Sequence, residues 1–245
     1  MAADLARRAG AIILAVRAKG FETLQKQDHT PVTEADQQAE ALIVAGLRAA
    51  TPDIPVIAEE ETAAGITQAS GAAYWLVDPL DGTREFAAGR DEFTVNIGFV
   101  RNGRPALGVV ALPALGELFG GIVDRKIAWK RNGAGERPIS ARVPPDEGLT
   151  VLASRHYATD ERLAAFLASR KVASITNIGS AMKIVRVAEG AADLYPRLGR
   201  TMEWDTAGPQ AVLEAAGGRL LDLAGAPLLY AKPLWENPHF VCLGR

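Results

Sequence analysis

Asp78 and Asp81 stand three residues apart at the end of the apolar run Trp75-Leu-Val77, with Pro79 and Leu80 between them and Gly82-Thr83 directly behind. Pro79 has no N–H to give to a ladder or a helix. The segment predicts a strand that delivers both carboxylates into a turn backed by backbone N–H groups and a hydroxyl. Two like charges held in such a turn require a counter-cation, or one of them takes up a proton. Mg²⁺ takes carboxylate and carbonyl oxygens, and the Leu80 carbonyl between the two aspartates adds a neutral ligand. The turn therefore suits a divalent metal on one side and a phosphate on the other. An ordinary capped turn accounts for the spacing equally well.

Two further acidic places stand out. Glu59-Glu-Glu61 follows the short apolar stretch Val56-Ile-Ala58, and Asp205 lies in Trp204-Asp-Thr-Ala-Gly208 at the start of a helical pattern. Taken singly, the first reads as a solvated loop or helix start. The second reads as a carboxylate serving a helix dipole.

Together these segments resemble a known family. Asp78-Pro-Leu-Asp-Gly-Thr83 is similar to the signature of the inositol monophosphatase superfamily, which are Mg²⁺-dependent, lithium-sensitive phosphatases. Glu59-Glu60 resembles the family's Gly-Glu-Glu, Trp204-Asp-Thr-Ala-Gly208 its Trp-Asp-x-Ala-Gly, and Pro31-Val-Thr-Glu-Ala-Asp36 its Val-Thr-x-x-Asp. The four motifs occur in family order across nearly the whole chain. Further stretches resemble the CysQ branch, the 3′(2′),5′-bisphosphate nucleotidases: Arg84-Glu-Phe86 after the threonine, Glu92-Phe-Thr-Val-Asn-Ile97, Ala153-Ser-Arg-His156, Gly179-Ser-Ala-Met-Lys183, Ala188-Glu-Gly190 and Leu194-Tyr-Pro-Arg197. One departure is that His156 directly follows Arg155, where the branch has Ser-Arg-Ser-His. This leaves His156 without an assigned role.

The resemblance implies a layered αβαβα sandwich of the sugar-phosphatase type and a site with two or three Mg²⁺ ions. Glu59, Asp78 and the Leu80 carbonyl are implied to hold the first ion. Asp78, Asp81 and Asp205 are implied for the second, and Glu59 with water for a third. One ion activates a water and another stabilises the leaving oxygen. Thr83, oriented by Asp36, would work with Glu59 to position and deprotonate that water. The N–H groups of Gly82 and Thr83, beside Asp81, would grip the phosphate. Gly179 and Ser180, read as the start of a helix, are candidates for ribose hydroxyls or phosphate oxygens. Lys183 and Arg197 are candidates for a second phosphate, their ordinary alternatives being a solvated helix lysine and a surface arginine. Tyr195 and Trp204 read as core, and Tyr157 as either core or base-stacking.

The implied reaction is hydrolysis of adenosine 3′,5′-bisphosphate to AMP and phosphate. Inositol 1-phosphate or fructose 1,6-bisphosphate is the alternative substrate, and a catalytically inactive phosphate-binding module the alternative of another class. The expected partner is a small phosphorylated molecule, and a homodimer is compatible with the family.

The elements that must position these residues follow from composition and periodicity. With 245 residues, 48% of them hydrophobic and 23% charged, the chain can bury a sizeable core. Lys plus Arg is 27 against 29 Asp plus Glu, a net charge of −2 that gives no footprint for polymeric nucleic acid. The single cysteine, Cys242, reads as a buried hydrophobe in a final strand. Arg7, Arg8 and Arg17 break up the apolar residues of the first segment, so no signal peptide is expected there. No apolar run is long enough to span a bilayer, and the expected compartment is the cytoplasm, with peripheral association at the inner membrane left open.

Residues 3–19 predict an amphipathic helix closed by Gly20, and Thr33 caps a second that runs to about Ala50. Short strands are predicted at 56–58 and 75–77, with a loop at 62–72 between them. A hairpin joins 93–100 to 106–112 through Asn102-Gly103, and strands follow at 117–124 and 126–130. After Pro144-Pro145, strands at 149–153, 172–176, 192–195, 219–223 and 240–243 alternate with helices at 160–169, 180–189 and 204–216. The fold class is α/β (α+β mixed), with an antiparallel first part and an alternating second part. Two subdomains, 1–143 and 144–245, share one core; the first carries most metal motifs, the second the substrate residues and Asp205.

Overall fold

The structure, a computed structural model, describes residues 1–25, 31–66, 71–155 and 161–245. His156 and Tyr157 lie outside the described residues.

Helix α1 (Ala2–Lys19) and α2 (Glu34–Ala50) flank a two-stranded antiparallel pair, β1 (Thr23–Gln25) and β2 (Pro31–Thr33). Thr33 caps α2 as its pattern predicts: its hydroxyl accepts the Ala35 N–H at 3.2 Å while Asp36 accepts the Thr33 N–H at 2.7 Å. Strand β3 (Val56–Ala58) runs straight into the one-turn helix α3 (Glu59–Ala63), so the predicted loop begins later than 62. Then come β4 (Ala73–Asp81), the short helix α4 (Thr83–Ala87), β5 (Thr94–Arg101), β6 (Arg104–Leu112), β7 (Glu117–Ile122), β8 (Ile127–Asn132) and β9 (Gly135–Pro138). These strands form a seven-stranded sheet in the order β3-β4-β5-β6-β7-β8-β9, antiparallel except for β3 beside β4. Asn102 and Gly103 both take positive φ, 53° and 70°, making the tight β5–β6 turn that their types favour.

The second half supplies β10 (Leu149–Ser154), α5 (Glu161–Leu167), β11 (Val172–Ile178), α6 (Met182–Ala188), β12 (Leu194–Arg197), α7 (Glu203–Ala215), β13 (Arg219–Asp222) and β14 (Phe240–Leu243). Its five-stranded sheet has the order β11-β10-β12-β14-β13.

Side-chain parity shows how the layers stack. Odd-numbered Trp75, Val77, Val95, Ile97 and Val109 join Leu5, Ile13, Ile43 and Leu47 of α1 and α2 in one core on one face of the large sheet. On the opposite face Val110 and Phe119 meet Val185 of α6, Val212 of α7, and Leu220 and Cys242 of the small sheet. The outer face of the small sheet packs Val151, Leu194 and Val241 against Leu163 and Leu167 of α5. The result is the αβαβα sandwich, with α6 and α7 as the middle layer. Because α7 from the second half is buried against strands of the first, we propose that the boundary near 141–148 separates two subdomains that share a core. Among the described residues, no helix is long and apolar enough to cross a membrane.

Candidate active site

The seven-stranded sheet decides where the acidic residues point. In a regular strand, residues three apart face opposite sides. Strand β4, however, does not end in a turn at Pro79 as the sequence suggests; it continues to Asp81 through an irregularity. Asp78 pairs with Asn96 and Asp81 with Thr94, so three steps on β4 match two on β5. The extra residue is a bulge, the place a strand tolerates proline. Thr94 and Asn96 share one face of the sheet, and their partners Asp78 and Asp81 are brought to that same face. Leu80 turns the other way, into the α1–α2 core.

Glu59 reaches the same edge by pairing register. Strands β3 and β4 are parallel and match Ala58 to Val77, so Glu59 follows beside Asp78. Asp205 arrives from the middle layer. Gly98, Gly108 and Gly121 lie in register across β5, β6 and β7. A Cβ on Gly108 would stand 2.0 Å from the Gly208 carbonyl oxygen, and one on Gly98 2.6 Å from the Gly208 nitrogen. This glycine row lets α7 lie directly on the sheet, which carries Asp205 in its first turn to the Asp78 end.

The electrostatics record the convergence. Burial, then the charges of Glu59, Asp81 and Asp205, hold the Asp78 carboxyl well above the usual range. Burial followed by Asp81 and Glu59 pushes Asp205 up to about 8. Burial also raises Asp81, against the pull of Lys183. These carboxylates take backbone donors: Leu80 N–H on Asp78 at 3.0 Å, Met202 N–H on Asp205 at 2.9 Å, and Ala181 N–H on Asp81. Among the described residues no three His, Cys, Asp or Glu side chains stand close enough to grip one ion as they are. The donor chemistry nevertheless fits a hard divalent cation, being carboxylate and carbonyl oxygen throughout. The Thr94 hydroxyl and the Asn96 amide, in the same row, are buried with no hydrogen-bond partner among the described residues.

The turn behind the bulge is built as the sequence suggests. Gly82 has φ 94°, and a Cβ there would lie 2.8 Å from the Glu92 carbonyl oxygen, so only glycine fits. The Thr83 hydroxyl lies 3.0 Å from Asp36 Oδ1 and 3.0 Å from the Leu80 carbonyl oxygen, and its one proton can go to only one of them. Asp36 Oδ2 takes the Thr33 N–H and hydroxyl, each at 2.7 Å. Burial, helped by the charge of Glu59, outweighs these bonds, which favour the ionised form, and leaves the Asp36 pKa raised.

Glu59, Asp78, Leu80, Asp81, Gly82, Thr83 and Asp205 line one cleft of about 560 Å³ together with Gly179, Ser180, Lys183, Arg197, Tyr195 and Trp204. The residue family model for inositol monophosphatases matches residues 1–239 of the chain. The chain belongs to the inositol monophosphatase family. It is similar to the 3′(2′),5′-bisphosphate nucleotidase CysQ of Salmonella typhimurium, 43% identical over 242 residues that cover 97% of this chain and 96% of the relative. The protein of the same name from Escherichia coli K12 is 41% identical over 242 residues, with the same coverage. Among solved structures, CysQ from Bacteroides thetaiotaomicron superposes with a TM-score of 0.82 at 33% identity, covering 99% of this chain and 95% of that one. Inositol monophosphatase from Anabaena sp. PCC 7120 superposes with a TM-score of 0.78 at 25% identity, covering 99% of this chain and 88% of that one.

Within this family fold, one expectation about the substrate residues needs correction, and two ordinary alternatives do not hold. Gly179 and Ser180 do not open a helix. Helix α6 starts at Met182, and Ser180 has a positive φ of 50°. The Gly179 N–H is committed to Glu92 Oε2 at 2.7 Å. Lys183 is no solvated helix lysine: it is 2% exposed. Its ammonium donates to the carbonyls of Ile178 at 3.0 Å and Ser180 at 2.6 Å, and lies 5.1 Å from the Tyr195 ring. Burial, then Arg197, lowers its pKa to about 7. Arg197 is no free surface arginine either, since its guanidinium donates to Ser154 Oγ at 3.2 Å and to the Arg200 carbonyl at 2.7 Å. Tyr195 and Trp204 are buried, as expected.

Sequence reasoning gave no role to Glu92, which bonds both the Gly179 N–H and the Arg155 guanidinium, just past the ends of the neighbouring strands β11 and β10. It also gave none to Glu40. The only signal for Glu40 was its place one helical turn beyond Asp36.

Proposed function

We propose that this chain is a Mg²⁺-dependent phosphomonoesterase that hydrolyses adenosine 3′,5′-bisphosphate to AMP and phosphate. The observation that carries the reading is the convergence of Glu59, Asp78, Asp81 and Asp205 from three elements onto one cleft that is also lined by Thr83, whose hydroxyl bonds to the buried Asp36. The names of the similar nucleotidases support the choice of substrate.

Two or three Mg²⁺ ions would be held by Glu59, Asp78, the Leu80 carbonyl, Asp81 and Asp205. When bound, they supply Lewis-acid activation of water and neutralise charge at the phosphoryl group. Thr83 directs its hydroxyl proton to Asp36, which leaves its oxygen lone pairs to accept a hydrogen bond from the attacking water. Glu59 takes the proton that this water gives up. The N–H groups of Gly82 and Thr83, with Asp81 beside them, orient the phosphate. Water attacks phosphorus, the bond to the ribose oxygen breaks, and that oxygen leaves as a hydroxyl after taking up a proton from solvent. No covalent enzyme intermediate is needed.

Lys183 fixes the Ile178–Ser180 segment of the cleft wall through its two carbonyl bonds. Arg197, at the cleft wall, would meet a second phosphate. Gly179 and Ser180 shape the wall in between, the Ser180 hydroxyl accepting the Met182 N–H at 3.2 Å.

Phosphate release with Mg²⁺, with and without EDTA, tests the chemistry. Comparing kcat/KM for adenosine 3′,5′-bisphosphate, inositol 1-phosphate and fructose 1,6-bisphosphate tests the substrate. Faster turnover of inositol 1-phosphate would overturn the nucleotide assignment. Absence of metal-dependent release from all three would favour a binding module.

A further inference from the structure

Helix α2 touches the cleft's machinery twice. Asp36 reaches Thr83, as described. One turn on, Glu40 is 5% exposed. Its two carboxylate oxygens each accept one backbone N–H: Glu60 N to Oε2 and Glu61 N to Oε1, both at 2.7 Å. Two turns further along the same helix, Arg48 holds the Glu61 carboxylate at 2.9 and 2.7 Å.

The three consecutive glutamates therefore have different surroundings. Glu61 is tied to α2 by both its backbone and its side chain, and Glu60 by its backbone. Glu59 is left facing Asp78 and Asp205, whose carboxyl groups feel its charge. A five-residue helix has little stability of its own. What holds α3 is the pair of backbone N–H bonds accepted by Glu40, together with the two-point Arg48–Glu61 contact.

We propose that Glu40 is the positioning residue for Glu59: by clamping the backbone of residues 60 and 61 it fixes where the Glu59 carboxylate stands, and so sets the affinity of the cleft for its divalent cation. Glu40 itself does not touch cation or substrate. The inference rests on the metal role given to Glu59 in the proposed function.

The chemistry of the clamp picks the informative variant. In Glu40→Gln the shape is kept, but the carboxamide oxygen accepts one N–H while its NH₂ group confronts the other donor. Supporting partners one step removed from a metal ligand are worth about 10–100-fold in affinity or activity. Mn²⁺ binding to the metal-free full chain, measured by calorimetry, should weaken at least about tenfold in Glu40→Gln. Half-activation by Mg²⁺ should shift in the same direction, and KM for the nucleotide at saturating Mg²⁺ should stay near that of the parent. Ile43→Val, in the buried face of the same helix, controls for loss of stability: it should lower Tm and leave Mn²⁺ affinity unchanged. If Glu40→Gln does not fold, Arg48→Gln opens the other half of the clamp and should weaken Mn²⁺ binding in its place.

A folded Glu40→Gln that binds Mn²⁺ within about twofold of the parent overturns the clamp alone. So does an equal weakening in Ile43→Val. A parent that binds no Mn²⁺ overturns the metal reading and the clamp with it.

Discussion

Two groups of buried charge in this molecule behave in opposite ways. At the cleft, Asp78, Asp81 and Asp205 stand near one another and all have raised pKa values. Where the two halves of the chain join, Glu117, Glu189 and Asp193 each have a cation. Lys130 lies 2.6 Å from Glu117 and 2.9 Å from Glu189, and Arg186 lies 2.7 Å from Glu117. Arg142, in the connecting segment, grips Asp193 at 2.7 and 2.8 Å. Burial works against ionisation there too, but the bonds to Arg142 outweigh it and hold Asp193 below the usual range; Lys130 and Arg186 do the same for Glu117. Burial is common to both regions, so partners account for the difference. The paired region holds the sheets together. The cleft carboxylates have one another and single backbone N–H groups as neighbours, and this is the arrangement a divalent cation would relieve.

The sharpest way to break this contrast is to remove one charge from each region. Asp81→Asn should leave the fold intact and lower kcat by about 10²–10³-fold, the size of losing one preorganised electrostatic group. Steady-state kinetics beside a melting curve would show it, and an unchanged kcat would refute the role given to Asp81. Asp193→Asn should do the reverse. Its side chain is fully buried, and besides Arg142 it accepts the Thr150 N–H at 2.7 Å. Removing its charge should cost about 3 kcal/mol, the low end for a broken buried pair because Arg142 reaches solvent. Denaturant titration measures the loss, and kcat of the remaining folded enzyme should stay near the parent value. Because the folded pKa of Asp193 is depressed, its contribution is present above the unfolded value of 3.8 and is lost as pH falls below it.

Adding the missing cation should affect only one region. Mg²⁺ at about 100 times its Kd should stabilise the parent by about 2.7 kcal/mol, and EDTA should reverse the gain. Asp193→Asn should show the same increment on its lower baseline. An increment that vanishes in Asp193→Asn would mean the two regions are coupled.

How much of this contrast could be read from the sequence depends on the range of each interaction. Thr33 capping α2 with Asp36 and the Asn102-Gly103 turn involve neighbours within three residues, and both were legible. The acidic motifs were legible as motifs. That Asp78 and Asp81 share a face was not, because it depends on the ladder partners Thr94 and Asn96. For Lys183 the sequence left a phosphate-binding lysine and a solvated helix lysine both open; its burial comes from layers far away in the chain. Glu40 bonds to backbone donors some twenty residues on, and backbone donors leave no mark on side-chain identity. Strands β1 and β9 escaped because they are short and wholly exposed, with no alternation to reveal them.

The smallest effect concerns the cleft carboxylates without their cation. Burial, Asp81 and Glu59 hold Asp205 protonated up to about 8, against 3.8 when unfolded. Between those values the folded state binds the proton that the unfolded state has released. The metal-free protein should therefore lose stability as pH rises through that range, opposite in sign to the Asp193 arm. Asp205→Asn carries no charge, and its carboxamide oxygen can still accept the Met202 N–H. Metal-free Asp205→Asn should be more stable than the metal-free parent by about 0.5–2 kcal/mol near neutral pH, with the gain shrinking as the pH is lowered toward the unfolded value. The same variant should lose most of the Mg²⁺-induced stabilisation and most of its activity. If metal-free Asp205→Asn is instead less stable than the parent at every pH, the cleft carboxylates do not oppose folding, and the two regions differ in position but not in kind.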